Sequence, residues 1–257
     1  MTTWVAFPYP TDYPFDNARV CKLWHKLHAG DREPLPKDPR LLSAWSWFHA
    51  GAFQQAADAA LELGEPGMSL ANKATCMYAT FLEPKEKQRQ KLFLQVADRA
   101  SAHCQQAPTN PNAYYWRAYA LARYSQCISV AKALALGLGS KVRSDLEMVI
   151  GLEPAHADAH VTLGAFHAEV IDKVGALIAR MTYGARKETC LRLFELAVQL
   201  TPQSASTLME YARALLILEG DACSEEAARL FERATQCSAL DAQQRLDLDL
   251  AQAEMAS

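Results

Sequence analysis

Apolar residues recur at three- and four-residue intervals through most of this chain, the spacing of one face of an amphipathic α-helix. No stretch reads convincingly as a strand. The helical pattern is interrupted by Gly51, Gly64, Gly137, Gly139, Gly184 and Gly220, and by Pro66, Pro84, Pro108, Pro111, Pro154 and Pro202. About a dozen helical segments fit between these breaks. Helices joined by short turns lie antiparallel, so the pattern predicts stacked helical hairpins and an all-α solenoid. Local signals mark several boundaries. Asp16 reads as an N-cap and Gly30 as a stop, bracketing a first helix. Asp38 caps the next helix, with Pro39 at its first turn. Ser140 reads as the N-cap of a helix over 142–152 that follows the Gly-Leu-Gly turn.

The first fifteen residues are different. Trp4, Phe7, Tyr9, Tyr13 and Phe15 alternate with Pro8, Pro10 and Pro14, and proline denies this arm helical hydrogen bonds. Five aromatic rings are costly to leave in water, so the arm is expected to dock on the helices or on a second subunit. Residues 16–257 are expected to form a single helical domain.

Internal repeats sharpen the architecture. In Leu-Glu-Pro-Ala-His-Ala-Asp-Ala-His-Val-Thr-Leu-Gly-Ala-Phe-His, over 152–167, Pro154, His160, Leu163, Gly164 and His167 occupy the fixed positions of a tetratricopeptide repeat. Gly164 falls where that repeat needs a small residue at a close helix contact. Pro202 is followed by Leu208, Tyr211, Ala212 and Leu215 in the same register, and the pairing helix follows over 226–234. Gly51-Ala52-Phe53-Gln54-Gln55-Ala56 matches the turn of the repeat, and Pro111 precedes a helix with Tyr115, Trp116 and Tyr119. The chain thus resembles the tetratricopeptide-repeat family, with elongated repeats. Pro111, Pro154 and Pro202 are 43 and 48 residues apart, against about 34 in the standard repeat. The region 157–183 holds no proline, and the extra residues are expected to lengthen helices.

Three further features narrow the resemblance: the turn Tyr183-Gly184-Ala185-Arg186-Lys187-Glu188, the run Phe-Glu-x-Ala-Val-x-Leu-x-Pro ending at Pro202, and the terminal Ala-Leu-Asp-Ala-Gln-Gln-Arg. Over roughly residues 108–255 the chain is similar to the regulator-of-microtubule-dynamics proteins and to the tetratricopeptide lipoprotein of bacterial tripartite (TRAP) transporters. The family resemblance implies a binding scaffold without intrinsic chemistry. The lipoprotein resemblance implies a channel for a hydrophobic ligand and a periplasmic partner.

Charge and composition exclude several classes. The formal net charge of −3 disfavours binding to nucleic acid through phosphate neutralisation. Seven widely spaced cysteines, without a Cys-x-x-Cys, suit a reducing cytoplasm better than a disulfide scaffold or a zinc ribbon. The N-terminus lacks both a basic start and an unbroken apolar run, so no signal peptide is expected there. The stretch 161–181 carries Glu169, Asp172, Lys173 and Arg180, too many charges for a membrane span, so no membrane insertion is expected.

Candidate chemistry is sparse. His156 and His160 are four apart and could share a metal, but no Glu or Cys completes a set, and His160 and His167 fall at packing positions. Gly137-Leu138-Gly139-Ser140-Lys141 lacks the spacing of a phosphate loop. No cofactor, metal or catalytic residue is expected. The first helix of each pair lines the concave face of such a solenoid, which nominates Asn72, Lys73, Tyr115, Arg117, Arg123, Val161, Glu169, Met209 and Arg213 as ligand-facing. Arg117, Arg123 and Arg213 could clamp a carboxylate through paired hydrogen bonds. The expected function is a non-catalytic scaffold holding a protein or peptide segment in its groove. The alternative is a carrier of a small apolar or lipid-like ligand within the elongated repeats. A homo-oligomer is compatible with either.

Overall fold

The computed structural model describes residues 3–255. No strand occurs among them. The described residues divide into two compact units, one of residues 3–28, 32–152 and 240–243, the other of residues 29–31, 153–239 and 244–255. The first holds α1 (Asn17–Leu27), α2 (Pro39–His49), α3 (Phe53–Glu62), α4 (Met68–Phe81), α5 (Glu86–Gln106), α6 (Pro111–Gln126), α7 (Val130–Ala135) and α8 (Leu138–Leu152). The second holds α9 (Ala157–Val174), α10 (Ala176–Ile178), α11 (Lys187–Leu200), α12 (Ala205–Glu219) and α13 (Ser224–Thr235), together with most of α14 (Ala242–Met255). No helix among the described residues is long and apolar enough to cross a membrane.

Side-chain caps start the helices where the sequence places them. The Asp16 carboxylate accepts from the Arg19 N–H at 2.7 Å, and Asp38 accepts from the Arg40 N–H at 2.9 Å with Pro39 in the first turn. Asn110 and Ser204 do the same for α6 and α12. Each satisfies a backbone donor that the first helical turn leaves without a partner.

Two boundaries differ from expectation. Ser140 is not an N-cap but lies exposed inside α8, which begins at Leu138. Gly137, at φ +63°, turns the chain early enough for the helix to start sooner. The surplus residues after Pro154 do not simply lengthen a helix. Gly175 (φ 79°, ψ 153°) ends α9 in a conformation that side chains disfavour. Short α10 then runs into a π-helical turn over Ala179–Tyr183, closed by left-handed Gly184.

The arm docks on the first unit, as its aromatic content demands. The Trp4 ring stacks on Tyr78 at 4.2 Å, and its backbone N–H donates to Gln54 at 2.9 Å. Phe7 is buried edge-on against Phe53, at 6.2 Å between centroids. It also covers Gly51, where a Cβ would come within 2.4 Å of the Phe7 ring and φ is +88°. Gly51 therefore serves both the turn before α3 and the seat of the arm.

The core of the second unit is built from Phe194 of α11, Leu208, Met209, Tyr211, Ala212 and Leu215 of α12, Leu230 of α13 and Ala251 of α14. Phe194 stacks flat on Tyr211 at 5.2 Å. Gly164 on α9 lets α11 approach closely, because a Cβ there would lie 2.7 Å from the Phe194 ring. The Cys190 thiol donates to the Gly164 carbonyl across the same contact, at 3.2 Å.

Candidate functional site

In the first unit the positions nominated from the sequence divide between core and surface. α4 is buried continuously from Ser69 to Ala79. A helix covered on every side presents no open face, so Asn72 and Lys73 are interior residues, a correction to their expected exposure. Asn72 Oδ1 accepts from the Arg99 Nε at 3.0 Å, and Arg99 also donates to Thr75 Oγ1 at 2.8 Å. The Lys73 ammonium lies 5.3 Å from the ring of Phe48, 5.7 Å from Trp45 and 6.0 Å from Trp116. Aromatic faces carry negative potential, which offsets part of the cost of burying that charge. Tyr115 is buried as well, packed edge-on against Trp116 at 4.8 Å, and so is likewise no surface contact.

The arginines are partly committed inside the fold. Arg117 grips Asp145 of α8 with both arms of its guanidinium, at 2.7 and 2.5 Å. That pairing raises the Arg117 pKa above its ordinary value. Arg123 lies over the Tyr119 ring at 5.2 Å and donates to Gln126. The Tyr119 hydroxyl in turn meets Thr80 at 3.1 Å.

In the second unit Met209 belongs to the core, a further correction, since the α12 period turns it inward with Leu208 and Ala212. Arg213 forms a fork with Glu254 of α14, with Nε 2.9 Å from Oε2, and its third bond goes to Glu210 at 2.7 Å. Glu169 faces Lys173 one turn on, at 3.9 Å. Val161 packs half-buried against the core. The carboxylate clamp expected of Arg117 and Arg213 is therefore filled by Asp145 and Glu254. The sequence reading missed those partners because they lie 28 and 41 residues away.

The histidines of the second unit serve packing and capping. His156 Nδ1 accepts from the Ala159 N–H at 3.1 Å as the N-cap of α9. His160 Nε2 bonds the Pro154 carbonyl at 2.8 Å, and His167 Nδ1 accepts from the Arg186 N–H at 3.2 Å. Burial pushes the Cys104 thiol up to about 11 and the Cys190 thiol to about 12, so neither supplies a thiolate at neutral pH.

One surface feature went unread in the sequence. A shallow, open depression of about 560 Å³ on the surface is lined by Lys87, Gln90, Lys91, Leu94, Gln95 and Asp98 of α5, Tyr124 of α6 and Lys132 of α7. Three ammonium groups face one carboxylate there. Leu94 contributes exposed apolar surface, and Lys132 lies 5.9 Å from the Tyr124 ring. Gln90 donates to the Cys127 carbonyl at 2.8 Å, tying α5 to the turn that leads into α7. The Lys87–Lys91 spacing of four residues was a legible sign of a basic helix face. Lys132 joins them only through the packing of α7.

Hairpins of this kind, opened by proline and closed by small-residue contacts, define a TPR-like helical protein. A solved structure with this fold is that of a thermophilic TPR protein from Thermus thermophilus, with a TM-score of 0.57 at 13% identity, covering 83% of this chain and 97% of that one. The family model for regulator of microtubule dynamics protein 1–3 matches residues 65–254. The chain belongs to that family. No curated protein sequence matches it. TPR-like families and folds are typically non-catalytic scaffolds.

Proposed function

We propose that this chain is a non-catalytic interaction scaffold that binds an acidic segment of a protein partner, and that the segment lies in the cleft between α5 and α7. The observation that carries this reading is the cleft lining, three lysines against Asp98 with Leu94 and Tyr124 between them. Lysines would supply long-range attraction to carboxylates, and the apolar side chains would supply the buried contact that fixes register. Val130 and Leu134 of α7, both exposed, extend the apolar surface of the helix that bears Lys132. On this reading the ligand chemistry expected of the arginines belongs to Lys87, Lys91 and Lys132, which are exposed. The seven free cysteines support a reducing, cytoplasmic setting.

The test is an array of peptides of about fifteen residues, graded from acidic to basic, probed with wild type and with the Lys87→Glu, Lys91→Glu, Lys132→Glu triple variant. Wild type should prefer acidic peptides carrying one or two large apolar residues. The variant should keep its helical circular dichroism and lose about tenfold or more in affinity. Equal binding by the two proteins would remove the cleft. Failure of every peptide, together with an acyl chain co-purifying with the protein, would favour the carrier.

A further inference from the structure

The second unit carries an outward turn that its core does not use. Between Gly175 and Gly184, α10 and the π-helical turn present Leu177, Ile178 and Met181 to solvent at 72, 55 and 78% exposure. Leu177 and Met181 are four residues apart with Ile178 beside them, so the three share one helical face. Ala179, on the opposite side, is fully buried. The turn is held firmly at its base. The Ala185 N–H bonds the Ala179 carbonyl at 3.1 Å, and the Arg186 N–H bonds His167 at 3.2 Å. The apolar side chains are thus displayed by a built element.

The charged side chains within the segment itself are cationic. Residues 173–187 contain Lys173, Arg180, Arg186 and Lys187 and no Asp or Glu, within a chain of net charge −3. Glu169 and Glu219 offset Lys173 and Lys187, at 3.9 and 2.5 Å. Arg180, within the turn, and Arg186, two residues past Gly184, are both exposed. Asp172 and Glu188 lie just outside the segment. Tyr183, half-buried at the end of the turn, is the kind of amphipathic ring that settles at a bilayer interface.

We propose that this turn is a membrane-docking element, which inserts Leu177, Ile178 and Met181 among the acyl chains of an anionic bilayer while Arg180 and Arg186 contact its headgroups. The protein would lie on the surface, since three side chains are a shallow anchor and no described helix can span. The charged residue between Gly175 and Gly184 is Arg180, with Arg186 two residues past the turn, which fits the negative potential of an anionic surface. The inference is independent of the peptide cleft on the first unit.

The experiment is flotation with vesicles of neutral phosphatidylcholine and of phosphatidylcholine with phosphatidylserine, at low and high salt. Wild type should float with the anionic vesicles, and less so as salt screens the charges. Leu177→Ser, Ile178→Ser, Met181→Ser together should reduce the bound fraction about tenfold. Arg180→Glu with Arg186→Glu should do likewise, while Leu35→Ser, at an exposed apolar site in the first unit, should not. The side chains changed in the turn all face solvent, so the core stays intact, and unchanged circular dichroism and melting temperature check this. No flotation of wild type, or flotation that the turn variants leave unchanged, overturns the proposal. So does a wild-type dimer in sedimentation that the triple serine variant converts to monomer without any vesicle binding, for then the turn is covered by a second copy.

Discussion

The two units bury different chemistry. The interior of the first is aromatic and polar. Trp24, Trp45 and Phe48 pack with His28 and His49, Lys73 sits among rings, and His49 Nδ1 meets the Asp241 carboxylate at 2.6 Å with both side chains almost completely buried. The interior of the second gathers alanines and leucines around the stacked Phe194 and Tyr211, and its buried histidines His156, His160 and His167 bond the backbone near at hand instead of a distant charge. Polar groups in a core must find partners of fixed geometry, whereas apolar groups need only fill volume. The first unit should therefore be sensitive to the loss of a partner, and the second to a gain in volume.

The sharpest way to break this contrast is at Asp241. Asp241→Ala leaves His49 Nδ1 without its partner in the interior, and an unsatisfied buried polar group costs roughly 1–3 kcal/mol. Chemical denaturation should show that loss, and Asp241→Asn should recover part of it. A change below about 1 kcal/mol would show that water reaches the pair. In the second unit Gly164→Leu drives a side chain into Phe194. Overpacking should lower stability by roughly 1–3 kcal/mol or more. Gly164→Ala should sit between wild type and Gly164→Leu, since its single Cβ already lies 2.7 Å from the ring position. If both variants are as stable as wild type, α9 and α11 separate more easily than packing this close allows.

The smallest effect sharpens the comparison through pH. Burial lowers the pKa of His103 below its ordinary 6.5, with the Glu65 carboxylate acting the other way. The neutral form is therefore the one the folded state favours. Stability from this site is complete above the unfolded value and is lost as pH falls from about 6.5 toward the folded pKa. Unfolding curves of wild type and His103→Gln should converge in slope with pH above about 7 and diverge below about 6, the variant losing less on acidification. Parallel curves across that range would show that His103 stays hydrated.

Much of the candidate site was hidden from the sequence for a specific reason. A helical period says that a residue lies on a face but not what covers that face. It put Arg117 and Arg213 on suitable helices, yet Asp145 and Glu254 fill their guanidinium forks. It put Asn72 and Lys73 on the first helix of a pair, but α4 is enclosed on every side, so both became core. The lysines of the cleft were readable two at a time on α5, while the third waited on the packing of α7.

What the sequence determined alone is local, because local structure depends on a few neighbouring residues. The caps at Asp16 and Asp38, the proline starts, the small residue at Gly164 and the need to cover the arm's rings all follow from steric and hydrogen-bonding rules acting within a few positions. What only the tertiary structure decided is pairing at a distance. Asp241 reaches His49 across 192 residues, and no period or motif records that meeting. The exit of the chain at Gly175, which turns Leu177 and Met181 outward, was equally silent. Burying polar partners together and leaving apolar ones exposed are both outcomes of three-dimensional packing, where one face is covered only because another element happens to reach it.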